Sequence, residues 1–204
     1  MKIKLFLFTA LIFFLLSAVG CKEKEKPTFN MPQEFKDYVI FPIGSYWIYQ
    51  DSISGAIDST NLQSRTSTML DDNNFPYICE YIIEQVYHSY NNYTNHNSGK
   101  INDYISNYSE NNSYVYLQSD PIFISNVDIG VSSGNLKYEK FYNSLFIKNT
   151  TFKDVKVFSS NESIGNIEFL RTYYSRFVGL IKLEYKEISS NNLKVWELKK
   201  YHIN

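Results

Sequence analysis

Alanine is almost missing from this chain of 204 residues. It occurs at Ala10, Ala18 and Ala56, so a single alanine lies beyond the first twenty positions. Alanine is the strongest helix former. Ile, Val, Thr, Tyr and Phe stand in its place, and these side chains suit a pleated sheet. A helix-rich architecture is excluded. Cysteine is equally scarce, with only Cys21 and Cys79, so the chain has no disulfide framework to replace a hydrophobic core. Excess charge of either sign is missing too: the formal net charge is −1. With no basic stripe, nucleic acid is excluded as a partner.

Catalytic signatures are absent as well. There is no His-Glu-x-x-His, no Cys-x-x-Cys, no phosphate loop and no Gly-x-Ser-x-Gly. No catalytic residue, metal ligand or cofactor is therefore assigned, and an enzyme is not expected. The three histidines, His88, His96 and His202, are expected at the surface. His88 and His96 with Asp103 follow no metal-ligand spacing. Glu80 and Glu84 fall on one face of a strand, an unremarkable placement for two carboxylates. Asp71 to Asn74 lack the glycine and distal glutamate of a calcium loop.

Long apolar runs are missing with one exception. Lys2 and Lys4 precede a run from Leu5 to Val19, about fifteen residues, which matches a secretory h-region and falls short of the ~20 of a membrane-spanning helix. Small residues Ser17, Ala18 and Gly20 then precede Cys21. The stretch Leu16-Ser17-Ala18-Val19-Gly20-Cys21 resembles the lipobox of bacterial lipoproteins, with Ala18 where that family most often has leucine. The resemblance implies that the peptide is cut before Cys21 and that Cys21 carries the lipid, leaving Cys79 without a disulfide partner. It implies an exported protein, lipid-anchored to the cell envelope, with the outer membrane as its expected site.

The alternating charges of Lys22 to Lys26 before Pro27 read as a solvated tether. Residues 1–20 are thus expected to be a signal peptide, 21–35 a lipidated tether and 36–204 a single β-rich domain. Pro32 and the acidic groups behind it suit a helix of one or two turns over Met31 to Tyr38. Pro42 and Gly44 then punctuate the start of a strand running to about Ile53, with Trp47, Tyr49 and Ile53 on one face. Pro42-Ile43-Gly44-Ser45-Tyr46-Trp47-Ile48-Tyr49 resembles the opening of many uncharacterised secreted bacterial β proteins. Tyr173-Tyr174 through Val178-Gly179-Leu180-Ile181-Lys182 resembles their closing hairpin. That resemblance brings a fold expectation and no activity.

Between these ends, Ala56 to Gln63, Arg65 to Leu70 and Tyr77 to Tyr87 are expected as strands. His88 to Ser98 is expected as an exposed connection. Ile101 to Tyr108 and Ser113 to Gln118 form a hairpin that Asp120-Pro121 breaks. Strands follow at Lys137 to Tyr142, Leu145 to Lys148, Val155 to Phe158 and Ile167 to Tyr174, then one up to Ile188, and Leu193 to Ile203.

The last hairpin allows a register prediction. A symmetric turn would oppose Lys182 to Lys199 and Glu184 to Glu197, and like charges directly opposed are unfavourable. A shift of two preserves the apolar face and sets Lys182 opposite Glu197 and Leu183 opposite Trp196.

The fold class expected is all-β and mainly antiparallel, a curved meander or half-open barrel with at most a short N-terminal helix. Trp47 is expected to seed the core. Trp47 and Tyr49 are also the candidates for stacking on an apolar or carbohydrate ligand, because rings offer flat contact area with a polar edge. The function expected is a membrane-anchored, non-catalytic binding or accessory module. The alternatives are an assembly subunit that pairs through an exposed strand edge and, ranked after it, a hydrolase with no recognisable motif.

Overall fold

A computed structural model describes residues 26, 28–72, 81–92, 100–109, 112–117, 120–124, 132–133, 136–160, 163, 167–189 and 192–204. The expectations for the signal and tether up to residue 25, and for Cys21, Cys79, Glu80 and His96, lie outside these residues.

The elements are β1 (Thr28–Phe29), α1 (Gln33–Val39), β2 (Tyr46–Asp51), β3 (Ile57–Asp72), β4 (Tyr81–Asn92), β5 (Lys100–Ser109), β6 (Asn112–Leu117), β7 (Asp120–Ile124), β8 (Ser132–Ser133), β9 (Leu136–Ile147), β10 (Thr150–Ser160), β11 (Ile167–Ser175), β12 (Gly179–Glu187) and β13 (Leu193–His202). Among the described residues the strands form one sheet in the order β7-β6-β5-β4-β3-β2-β13-β12-β11-β10-β9-β8, with β1 added beside β4. Pairing is antiparallel apart from the short parallel contact of β1 with β4. The architecture is the expected one: antiparallel β with one short helix, in a sheet that does not close into a barrel.

The sheet is nevertheless strongly coiled. From the β9–β10 turn, Lys148 Nζ reaches Gln50 Oε1 on β2 at 3.3 Å and Glu197 Oε2 on β13 at 3.9 Å. Bulges help the strands bend, as they do generally. One lies between Val157 and Phe158, another between Tyr173 and Tyr174.

Residues directly opposed in a ladder share a face. Val155 opposes Tyr142 and Val157 opposes Tyr173. This concave face joins Trp47, Leu62, Ile147, Phe152, Ile181 and Leu198 in one cluster. The other face of β9–β11 presents Tyr138, Phe158 and Tyr174, and α1 covers it with Phe35, Tyr38 and Val39. Tyr138 and Phe158 stack with centroids 4.9 Å apart.

The predicted register of the last hairpin is the observed one: Lys182 pairs with Glu197 and Leu183 with Trp196. Other expectations need correcting. Residues ahead of position 36 are packed as well: β1 joins the sheet, and Met31 and Phe35 are core residues. β2 stops at Asp51, and Ile53 is exposed in the following turn. The Asp51 carboxylate accepts hydrogen bonds from the Ile53 and Ser54 amides and turns the chain there.

His88 does not begin an exposed connection. β4 continues to Asn92, paired with β3 on one side and β5 on the other. The His88 side chain is buried rather than at the surface, at 1% exposed. Asp120-Pro121 does not interrupt the sheet either. It opens β7, which ends the strand order and so tolerates a proline without an N–H.

Candidate functional site: an apolar cleft beside the helix

Trp47 is 4% exposed. Its Nε1 donates to the Val178 carbonyl at 2.6 Å, and its ring meets Phe41 edge-on at 5.2 Å and 67°. Tyr49 donates its hydroxyl to the Leu180 carbonyl at 2.9 Å, and burial pushes its pKa well above the ordinary phenol value. Both side chains therefore tie β2 to the start of β12. The stretches 42–49 and 173–182 pack on each other at this point. Gly179 makes the approach possible: at φ +92°, a Cβ there would sit 3.0 Å from the Phe41 ring.

At this junction lies a cleft of about 290 Å³, lined by Gln33, Lys36, Asp37, Ile40, Phe41, Pro42, Phe177 and Ile203. One wall comes from α1. Gln33, Lys36, Asp37 and Ile40 follow the i, i+3, i+4, i+7 stripe of a helix face, while Phe35, Tyr38 and Val39 point into the core. The other wall is the β11–β12 turn, with Phe177 at φ +61°. A left-handed backbone costs a non-glycine residue ~1–2 kcal/mol, so the surroundings must hold it. The Phe177 amide donates to the Asp37 carbonyl at 2.7 Å. Arg176 Nη2 and Nε lie 2.6 and 3.0 Å from Asp37 Oδ2.

The charges at the rim are matched within the protein. Burial opposes ionisation of Asp37, but hydrogen bonds from Gln33 and Arg176 outweigh it and hold its pKa below the usual carboxylate range. Lys36 Nζ lies 2.7 Å from Glu84 Oε1, and the other Glu84 oxygen accepts from the Met31 amide. Glu84 thus fastens the start of α1 to β4.

A second polar constellation crosses the concave face. Arg171 grips Glu139 through Nε and Nη2 at 2.8 and 3.2 Å and reaches Glu184 through Nη1 at 3.2 Å. Lys182 contacts Glu184 at 2.9 Å and Glu197 at 3.7 Å. Burial, followed by the Glu184 charge, pushes the neighbouring Tyr173 hydroxyl up to about 12. Each of these three carboxylates faces a cation, so the set reads as a ladder of ion pairs across β9, β11, β12 and β13.

His88 sits opposite Asp103 in the β4–β5 ladder. Among the described residues no three His, Cys, Asp or Glu side chains gather as a metal site. No helix among them is long and apolar enough to cross a membrane. His202 is exposed, as expected, beside Tyr46 at 5.7 Å.

Sequence reasoning missed Phe177, Ile40, Pro42 and Ile203 as a group. The i+3/i+4 stripe on α1 and an aromatic residue inside a tight turn were the available signals.

No protein-family model matches the chain. No curated protein matches it. Among solved structures the chain is similar to one described only as a candidate lipoprotein, from Parabacteroides distasonis, at 11% identity and a TM-score of 0.39, covering 79% of this chain and 96% of that one. A likeness that remote carries no argument about fold or role.

Proposed function

We propose that this chain is an exported lipoprotein, anchored through lipid on Cys21, whose β domain is a non-catalytic binding or accessory module at the outer membrane. The carrying observation is the order of residues from Lys2 to Cys21: a short basic start, one apolar run, then small residues before a cysteine. Anchoring by more than one acyl chain is stable where a single chain is marginal.

The non-catalytic reading is supported by the carboxylates of both constellations, Asp37, Glu84, Glu139, Glu184 and Glu197, each of which is engaged by a cation. The cleft beside α1, rather than the filled concave face, is the place for apolar matter. A second reading, assembly through a strand edge, draws on β7, which ends the strand order.

The test is mass spectrometry of the mature N-terminus together with membrane fractionation. The expected result is an acylated Cys21 as first residue, and release or loss of processing in Cys21→Ser. A mature chain that starts elsewhere without acyl groups refutes the anchor.

A further inference from the structure

The two lips of the cleft present large apolar side chains outward, and both are locked. Phe177 is 60% exposed, yet its backbone is pinned to α1 through the Asp37 carbonyl, and Arg176 beside it is pinned to the Asp37 carboxylate. Ile43, 52% exposed, follows Pro42 on the other lip. Its carbonyl accepts from Asn204 Nδ2 at 2.9 Å. The rim charges Asp37 and Lys36 are matched by Arg176 and Glu84. The surface so formed is rigid and apolar, with no excess charge to select a charged partner.

The length of chain before the described fold says what such a surface meets. An extended chain spans at most ~3.3–3.6 Å per residue. Thr28 therefore lies within about 25 Å of Cys21, and Gln33, the first helical residue of the cleft wall, within about 40 Å. β1 and α1 are the first described elements after Cys21, so the α1 wall of the cleft is held within that reach of the anchor.

We infer that the lips of this cleft, Phe177 and Ile43 foremost, form the face that rests on the lipid surface holding Cys21. This rests on the anchoring proposed above. An interfacial contact wants apolar side chains that reach the boundary between headgroups and acyl chains. Aromatic rings are favoured at that depth. The locked turns mean that little ordering is required on contact.

The test uses the full acylated chain in vesicles of phosphatidylethanolamine and phosphatidylglycerol, doped with phosphatidylcholine brominated on its acyl chains. Tryptophan is introduced by Phe177→Trp and, separately, by Phe146→Trp, an equally exposed phenylalanine (67%) that takes no part in the cleft. Emission above the Trp47 and Trp196 background is followed. Quenching at least threefold stronger for Phe177→Trp than for Phe146→Trp is expected. Equal quenching overturns the proposal while leaving the anchor intact.

Failure of the anchor shows separately, as a mature chain that starts elsewhere without acyl groups, and overturns the proposal together with its premise. Two further outcomes overturn the proposal. One is concentration-dependent emission of Phe177→Trp in the Cys21→Ser chain, which marks a second copy as the occupant. The other is equal quenching of that chain by a brominated fatty acid without vesicles, which marks a free apolar ligand.

Discussion

The cluster under α1 takes Met31, Phe35, Tyr38 and Val39 from a single short segment and sets them on Leu136, Tyr138, Phe158 and Tyr174, with Val86 of β4 at its edge. The cluster on the concave face takes one or a few residues from each strand in turn, from Leu62 on β3 through Trp47, Leu198 and Ile181 to Val155 and Ile147. The first depends on one inserted plug and the second on a pattern repeated along the sheet. Removing a member of the plug should undo a region, whereas removing a member of the repeat should leave a local cavity.

Phe35→Ala tests this most severely. Truncating a buried phenylalanine costs ~3–5 kcal/mol. Amide-exchange protection over Gln33–Val39 should be lost while β12 and β13 keep theirs. Ile181→Ala, at ~2–5 kcal/mol, should lower stability without selectively exposing α1. If both variants lose protection in the same places, the two clusters are one cooperative unit.

Asp51→Asn comes next. Burial works against the Asp51 charge, but the Ser54 hydroxyl and the amides of Ile53, Ser54 and Val195 outweigh it, and the folded-state pKa lies below the ordinary carboxylate value. Its contribution is therefore fully present above that value and drains as pH falls through the lower folded-state pKa. Loss of the charged acceptor should cost ~1–3 kcal/mol at pH 7. The stability of the variant should also fall less steeply on acidification below pH ~4, as measured by urea unfolding at a series of pH values.

Gly179→Ala and Gly55→Ala form a smaller, paired test. Both glycines have positive φ, but an added Cβ meets Phe41 at 3.0 Å only at position 179; at 55 the nearest atom is 4.0 Å away. Strain of ~1–2 kcal/mol should be common to both. The excess at position 179 should then vanish in a Phe41→Leu background.

The smallest effect belongs to the ion-pair ladder. Lys182→Glu should cost ~0.2–1 kcal/mol by opposing Glu197. Glu197→Lys in the same chain should recover part of it in a double-mutant cycle.

The repeated pattern was legible and the plug was only half so. Alternating apolar residues and the placing of Lys182, Glu184 and Glu197 sufficed to give the closing register, because cross-strand charge and face parity are local constraints. The helix itself could be read from Pro32 onward, but not its burial. Phe35 finds Phe158 and Tyr174 only after the sheet has coiled.

β4 misled for a related reason. Its Asn, Tyr and His content suits a loop, and pairing with β3 and β5, a long-range event, overrides composition. The cleft was hidden because its two walls are far apart in sequence and are joined through Asp37, Arg176 and Phe177. Trp47 and Tyr49 were singled out for their rings, and the structure shows both engaging backbone carbonyls of the same turn region.

β13 lies between β2 and β12, although it follows every other strand in the chain. During synthesis, the ribosome therefore releases both of its neighbours before the piece that joins them. The facing edges of β2 and β12 cannot complete their hydrogen bonding until β13 arrives.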